Sequence, residues 1–356
     1  MRTLERTGPK GRPGLLDSPF QILLAAILAA VFFGGCGGGG EDNELKGTPA
    51  PQLSGSILID GSSTVFPITE AVAEEFRKVQ GNVKVTVGVS GTGGGFQKFC
   101  NGETAMSDAS RPITAKEIEA CAAKGIEYIE LAVAYDGLAV VANPQNTWAT
   151  CMTVAELKKV WEPAAQGAIT KWSQIRPEWP NETIRLFGPG TDSGTFDYFT
   201  EVVNGRAKDS RGDYTASEDD NVLVQGVAGD KYALGYFGLA YYEENRGKLK
   251  DVQVDGGKGG GCVTPSQQTV EGGTYAPLSR PLFVYVKKPE AEKPEVKAFV
   301  DFYLKNAAKL SAEVGYVKFP DRFYNLVTTR WESRKAGTMY ANAPAGATLE
   351  LLLARP

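Results

Sequence analysis

The chain has 356 residues, 42% of them hydrophobic and 22% charged, a globular composition long enough for about two domains. It contains no histidine, which excludes every Ser-His-Asp or Cys-His mechanism and every His-ligated metal site. With 38 basic against 42 acidic residues the net charge is −4, so no basic surplus points to nucleic acid or to an anionic membrane face.

Arg2, Arg6, Lys10 and Arg12 precede an apolar run over 20–33, and Gly34, Gly35 and Cys36 follow it. A basic region, an apolar core and small residues make an export signal. The run has 14 residues, short of the ~20 needed to span a bilayer as a helix. Its small-small-Cys ending resembles a bacterial lipoprotein signal, cut before Cys36 with the thiol diacylated. A signal peptide over 1–35 and lipidation of Cys36 are therefore expected, with the glycine-rich stretch 36–51 as a flexible tether. The chain would then sit in the periplasm or on the outer cell surface, held to a membrane by its lipid only.

From residue 55 strands and helices alternate. Residues 56–60 read as a strand. Pro67 opens a helix whose apolar face carries Ile68, Val72, Phe76 and Val79. Residues 83–89 are a β-branched strand, and a glycine-rich turn leads to a helix near 96–99. Strands are expected at 105–108, 127–133 and 137–142, with a helix over 114–123 capped by Thr114. A second block follows: helices at 154–161, 195–203 and 221–229, strands at 184–187, 233–237 and 281–286, and a long helix over 289–307. This alternation predicts an α/β fold with parallel sheets. Trp148, Trp161, Trp172 and Trp179 read as packing residues rather than a sugar-stacking face. Residues 349–353 are too few to cross a membrane and are expected to pack on the body of the protein.

In an exported chain Cys100, Cys121, Cys151 and Cys262 suggest two disulfides, with three connectivities possible. Cys100–Cys121, which closes a short loop, and Cys151–Cys262 are favoured. No CxxC spacing supports a metal site made of four thiols.

Three strand-to-helix turns share one chemistry. They are Asp60-Gly61-Ser62-Ser63-Thr64-Val65-Phe66-Pro67, Val89-Ser90-Gly91-Thr92-Gly93-Gly94-Gly95-Phe96 and Gly188-Pro189-Gly190-Thr191-Asp192-Ser193-Gly194-Thr195-Phe196. Free amides at a helix start attract anions, hydroxyls add uncharged donors, and glycine admits a close approach of the backbone. The second turn lacks the Lys-Ser/Thr ending of a nucleotide-binding loop and the GxGxxG order of a dinucleotide fold. The third offers Ser193 as a nucleophile, but no histidine or Ser-x-x-Lys is present to activate it. In open α/β sheets such turns gather at the carboxyl ends of strands, so together they describe a cleft for a small tetrahedral oxyanion. Ser107-Asp108-Ala109-Ser110-Arg111-Pro112 adds a forked guanidinium donor and a carboxylate. Asp108 beside an anion is repulsive unless the ligand still carries a proton, which hydrogen phosphate does and sulfate does not.

In this order and spacing the four motifs resemble the periplasmic phosphate-binding proteins that feed the high-affinity phosphate ABC transporter, over about residues 55–330. The resemblance implies a two-lobed flytrap fold, a type 2 periplasmic binding protein, with two crossings between lobes. Lobe one would comprise 52–142 and 276–356, and lobe two 143–275. It implies ligand contacts at Ser63, Thr64, Ser90, Thr92, Asp108, Ser193, Gly194 and Thr195. Some members hold an arginine where this chain has Pro189, which leaves Arg111 as the main cationic contact. Arg280 is an alternative, although a hinge or salt-bridge role suits it better. No catalysis and no cofactor are implied. The expected partners are inorganic phosphate and ABC permease subunits, with no nucleic acid and a monomeric chain. Rival readings are a binding protein for sulfate, molybdate or a phosphonate, a secreted phosphatase or serine hydrolase, and a surface protein reusing the fold.

Overall fold

The structure, a computed structural model, describes residues 52–191, 193–257, 259–343 and 347–355. The expected signal peptide, the tether and Cys36 lie outside the described residues.

Strands and helices follow one another as expected for an α/β chain. The first half contributes β1 (Gly55–Gly61), α1 (Phe66–Val79), β2 (Val83–Val89), α2 (Gly91–Cys100), β3 (Met106–Ala109), α3 (Ala115–Ala123) and β4 (Tyr128–Ala142). Then come β5 (Cys151–Thr153), α4 (Val154–Trp161), β6 (Arg185–Pro189), α5 (Gly194–Asn204), β7 (Thr215–Ser217), α6 (Asp220–Gly229), β8 (Ala233–Gly238) and α7 (Leu239–Glu244). The chain ends with β9 (Lys250–Asp251), β10 (Gln253–Asp255), β11 (Cys262–Val263), α8 (Gln267–Glu271), β12 (Ser279–Lys287), α9 (Pro294–Glu313), α10 (Asp321–Glu332) and α11 (Leu349–Leu353).

Among the described residues nine strands form one sheet in the order β2-β1-β3-β12-β4-β8-β6-β7, with β9 also on β4; β11, β10 and β5 form a second, small sheet. The parallel pairs β1–β2 and β1–β3 make one half of the large sheet, and β6–β7 and β6–β8 make the other. The long strand β4 joins them. Its early residues pair antiparallel with β12, and Leu138 to Ala142 pair antiparallel with β8, so the sheet is mixed rather than parallel as expected.

This continuity departs from the expectation of two strands at 127–133 and 137–142. Asp136 and Gly137 disfavour a strand by composition. Here all 15 residues of β4 are buried, Tyr135 bridges to Val317, and the Asp136 carboxylate lies 3.5 Å from the Arg280 guanidinium. Tertiary pairing overrides the local signal.

Two helices also depart from their expected bounds. The glycine run at 91–95 is the first turn and a half of α2 rather than a turn before it. The long helix begins at Pro294, after a separate short turn at Glu290–Glu292, because Pro294 donates no amide to a preceding turn. The Phe76 ring of α1 sits edge-on to Phe299 and Phe302 of α9, at 5.3 and 5.5 Å between centroids. Burying such a ring contributes roughly 1.5–3 kcal/mol.

Trp161, Trp172 and Trp179 are buried. Trp172 stacks edge-on with Trp148 and Trp179, so the tryptophans pack the core. The tail helix α11 buries Leu349, Leu352 and Leu353, and Arg322 of α10 binds Glu350 at 2.8 Å. The structure joins Cys100 to Cys121 and Cys151 to Cys262, the pairing favoured from the sequence. Among the described residues no helix is long and apolar enough to cross a membrane.

Candidate functional site

The carboxyl ends of β1 and β3 meet where the glycine-rich turns begin. The Ser62 amide donates to the Asp108 carbonyl at 3.0 Å. Gly61 has φ +154°, and a Cβ there would lie 2.1 Å from that same carbonyl. Only glycine allows this approach. Behind it α2 presses onto the turn: a Cβ on Gly95 would lie 2.5 Å from the Gly61 Cα and 2.8 Å from the Asp60 carbonyl. The glycines of the second motif therefore let a helix start directly against a strand end, despite their cost within a helix.

A cavity of about 180 Å³ opens above these turns. From the first half its wall takes Ser62, Ser63, Thr64, Gly91, Thr92, Gly93, Ser110 and Arg111. From the α5 side it takes Asp197, Glu201 and Ala207, and Arg280 completes it from β12. The halves touch across it. The Ser63 hydroxyl donates to Asp197 Oδ2 at 2.9 Å. The Thr64 hydroxyl donates to the Gly194 carbonyl at 3.3 Å, and a Cβ on Gly194 would lie 2.6 Å from the Thr64 Cα. Thr92 and Ser110 share a hydroxyl contact of 3.0 Å on the opposite wall.

Among the described residues the wall carries two guanidinium and two carboxylate side chains. Arg111 grips Glu117 through two bonds of 2.8 Å and faces the Phe96 ring. Burial alone would raise Glu117, but hydrogen bonds from Arg111 and Thr114 together hold its carboxyl below the usual range. Arg280 donates to the Thr64 hydroxyl at 3.2 Å and to Glu201 at 3.3 Å. Its guanidinium lies 3.5 Å from the Tyr198 ring centre. Asp197 is pushed up by burial, against the hydrogen bond from Ser63 and the charges of Lys208 and Arg280.

The structure brings Ser63, Thr64, Thr92 and Arg111 together on the cavity wall, and it places the other expected residues elsewhere. Ser90 stands at the N-cap position of α2, but its hydroxyl donates to the Asp60 carboxylate rather than capping the helix, and Lys98 reaches the same carboxylate at 2.7 Å. Ser193 caps α5 by accepting from the Thr195 amide, and Gly194 backs onto Thr64; none of residues 193–195 is part of the wall. The Asp108 side chain is fully buried on β3 and does not line the cavity either. Neither of its oxygens meets hydrogen-bond geometry with a neighbour among the described residues. Burial pushes the carboxyl up to about 8, outweighing the lowering effect of the nearby Thr69 hydroxyl, which is itself 3.1 Å from the Tyr303 hydroxyl.

Sequence reasoning missed Asp197 and Glu201. A helical signal was available: counted from Ser193 they stand at i+4 and i+8, on one face of α5.

Two α/β halves sharing a long strand, with helix starts turned toward a small polar cavity between them, make the two-lobed periplasmic binding protein fold. A family model for the PBP superfamily domain matches residues 46–307, and the chain belongs to that superfamily, in the family that holds SphX and the phosphate-binding proteins PstS. It is 53% identical over 298 residues to Protein SphX of Synechococcus elongatus, covering 83% of this chain and 88% of that one. It is 38% identical over 304 residues to the phosphate-binding protein PstS of Staphylococcus saprophyticus, covering 84% and 89%. The crystal structure of a possible phosphate binding protein from Planctomyces limnophilus superposes with a TM-score of 0.77 at 54% identity, covering 80% of this chain and 99% of that one.

Proposed function

We propose that this chain captures inorganic phosphate between its two lobes and hands it to the permease subunits of an ABC transporter, without catalysing a reaction. The observation that supports this reading best is the cavity itself. It is small, its wall is hydroxyl-rich, and it lies at the starts of α1 and α2. Helix starts and hydroxyls stabilise an oxyanion through dipoles. Ser63, Thr64, Thr92 and Arg111 contact the anion in this reading, and the start of α5 at Ser193, Gly194 and Thr195 closes over it. Lobe one comprises 52–142 and 276–356, and lobe two 143–275. Ser193 has no histidine to activate it, and its hydroxyl accepts from the Thr195 amide at the start of α5.

Selectivity in this reading comes from the carboxylates on the wall. Asp197 and Glu201 repel an anion unless it brings a proton to share. Hydrogen phosphate brings one at neutral pH and sulfate does not. The chain works outside the cytoplasm as a monomer, tethered by a diacylated Cys36, and a diacylglyceryl mass on the mature N-terminal peptide would verify that tether. Calorimetric titration of the unit 51–356 with phosphate and sulfate at pH 7 tests the ligand. Phosphate is expected to bind and sulfate to fail. In Asp197→Asn the preference narrows by at least roughly tenfold. Equal binding of the two anions by the unaltered chain overturns the reading.

A further inference from the structure

The structure places one cation where both halves of the molecule meet. Arg280 stands near the start of β12, three residues after Pro277. Its side chain is 14% exposed and lines the cavity. It reaches four residues in three separate elements: Thr64 in the turn before α1, Asp136 on β4, and Tyr198 and Glu201 on α5. Tyr198 in turn donates its hydroxyl to the Pro277 carbonyl at 2.6 Å, so the aromatic ring under the guanidinium is tied to the segment that leads into β12.

We infer that Arg280 couples anion capture to lobe closure, acting as the cation that both halves share. This rests on the reading of the cavity as an oxyanion site.

A guanidinium carries five N–H donors in a fixed fork. Two of Arg280's are used in hydrogen bonds, to Thr64 and Glu201. The Nε group meets hydrogen-bond geometry with nothing described and lies 3.5 Å from the buried Asp136 carboxylate. That leaves one donor on each terminal nitrogen for oxygens in the cavity. The Tyr198 face restricts the plane of the fork, which favours a preset orientation over a search.

Arg111 differs. Both its terminal nitrogens are engaged by Glu117, a residue of the same lobe, so its contacts do not change when the lobes separate. The contacts of Arg280 do. When α5 moves away from the turn before α1, the guanidinium cannot keep Thr64 together with Glu201 and the Tyr198 ring. An anion bound in the closed cavity adds contacts to Arg280 only in that state, and a ligand shifts an equilibrium by such differential contacts.

The test uses the unit 51–356, which forms one compact body, with inorganic phosphate as the probe. Affinity is read by calorimetry and closure by the fall in radius of gyration in X-ray scattering at saturating phosphate. Arg280→Met is expected to weaken phosphate roughly 100-fold or more and to abolish the compaction. Arg280→Lys, which keeps charge and bulk but loses the fork, is expected to weaken it about tenfold with partial compaction. Arg111→Met weakens binding while compaction persists at saturation. If Arg280→Met does not fold, Arg280→Lys decides. Phosphate affinity within about threefold of the unaltered chain, or full compaction in either Arg280 variant, overturns the inference. A melting temperature that falls with affinity and compaction unmoved marks a purely structural arginine and overturns it too. If the unaltered chain binds no phosphate but binds another oxyanion, the ligand reading fails and the same variants test Arg280 with that anion. If it binds no oxyanion, both fall.

Discussion

Asp108 offers a stability measurement with a defined sign. Its carboxyl is fully buried on β3 and its pKa is raised from 3.8 to about 8, chiefly by burial with a smaller push from the Asp60 charge. In the unfolded chain the same group loses its proton near 4. Between about pH 4 and 8 the folded state therefore holds a proton that the unfolded state has lost. Stability contributed by this site falls as pH rises through that window and levels off above it. Each pH unit is worth about 1.4 kcal/mol, so from pH 5 to 8 the limiting loss is about 4 kcal/mol, and about 2–4 kcal/mol after relaxation of the site. Asp108→Asn removes the titration and keeps the shape. Urea unfolding of both proteins at pH 5, 6, 7 and 8, in buffers free of inorganic phosphate, isolates the effect, because every other titrating group cancels in the difference. The stability of Asp108→Asn relative to the unaltered chain is expected to grow with pH by about 2–4 kcal/mol over the window. A difference that stays constant, or that shrinks as pH rises, refutes the reasoning and means that the carboxyl ionises in place.

Two further outcomes follow from the geometry. Gly95→Ala sets a methyl 2.5 Å from the Gly61 Cα and 2.8 Å from the Asp60 carbonyl; backbone cannot yield as a side chain does, so a loss of roughly 1–3 kcal/mol in urea unfolding is expected, together with weaker phosphate binding as α2 shifts Thr92, and a fully neutral Ala would show that α2 is not pinned to β1. The Cys151–Cys262 bridge spans 111 residues, and the paired Cys151→Ser and Cys262→Ser substitutions are expected to lower stability by about 4–5 kcal/mol on the chain-entropy scale; an unchanged urea midpoint would mean that the segment between them stays structured without the bridge.

Much of the fold was legible because the apolar patterns were local. The β-branched run of β2 and the faces of α1 and α4 announce themselves at periods of two and 3.6. The strand-to-helix turns announce Ser63, Thr64 and Thr92 as cavity residues for the same reason, since glycine and hydroxyl residues gather where a strand hands over to a helix. Features that depend on distant partners were not legible. The middle of β4 reads as a break until Val317 and Arg280 are seen beside it. Asp197 reads as an ordinary first-turn acid until Ser63, 134 residues away, donates to it. Arg280 reads as a hinge residue until Thr64, 216 residues away, meets it. Asp108 is buried together with every residue of β3 and pairs with Val284 of β12, a setting its motif alone does not announce.

The charges around the cavity bear on how such a site can work at all. Arg111 and Arg280 on the wall are matched by Asp197 and Glu201, and Arg111 is further held by Glu117 while Asp136 lies beside Arg280. A doubly charged anion thus finds no net positive charge to neutralise it. What remains are the amides at the helix starts, the hydroxyls of Ser63, Thr64 and Thr92, and the N–H donors that Arg280 keeps for the cavity. Their dipoles are fixed by the fold and need no reorganisation when an anion arrives. A site stabilised this way gains little from long-range attraction, in keeping with the overall negative charge, and it loses little to salt. Its selectivity then follows from hydrogen-bond matching alone. Each carboxylate on the wall is an acceptor that a proton-bearing oxyanion can satisfy, and a bare one leaves it facing like charge.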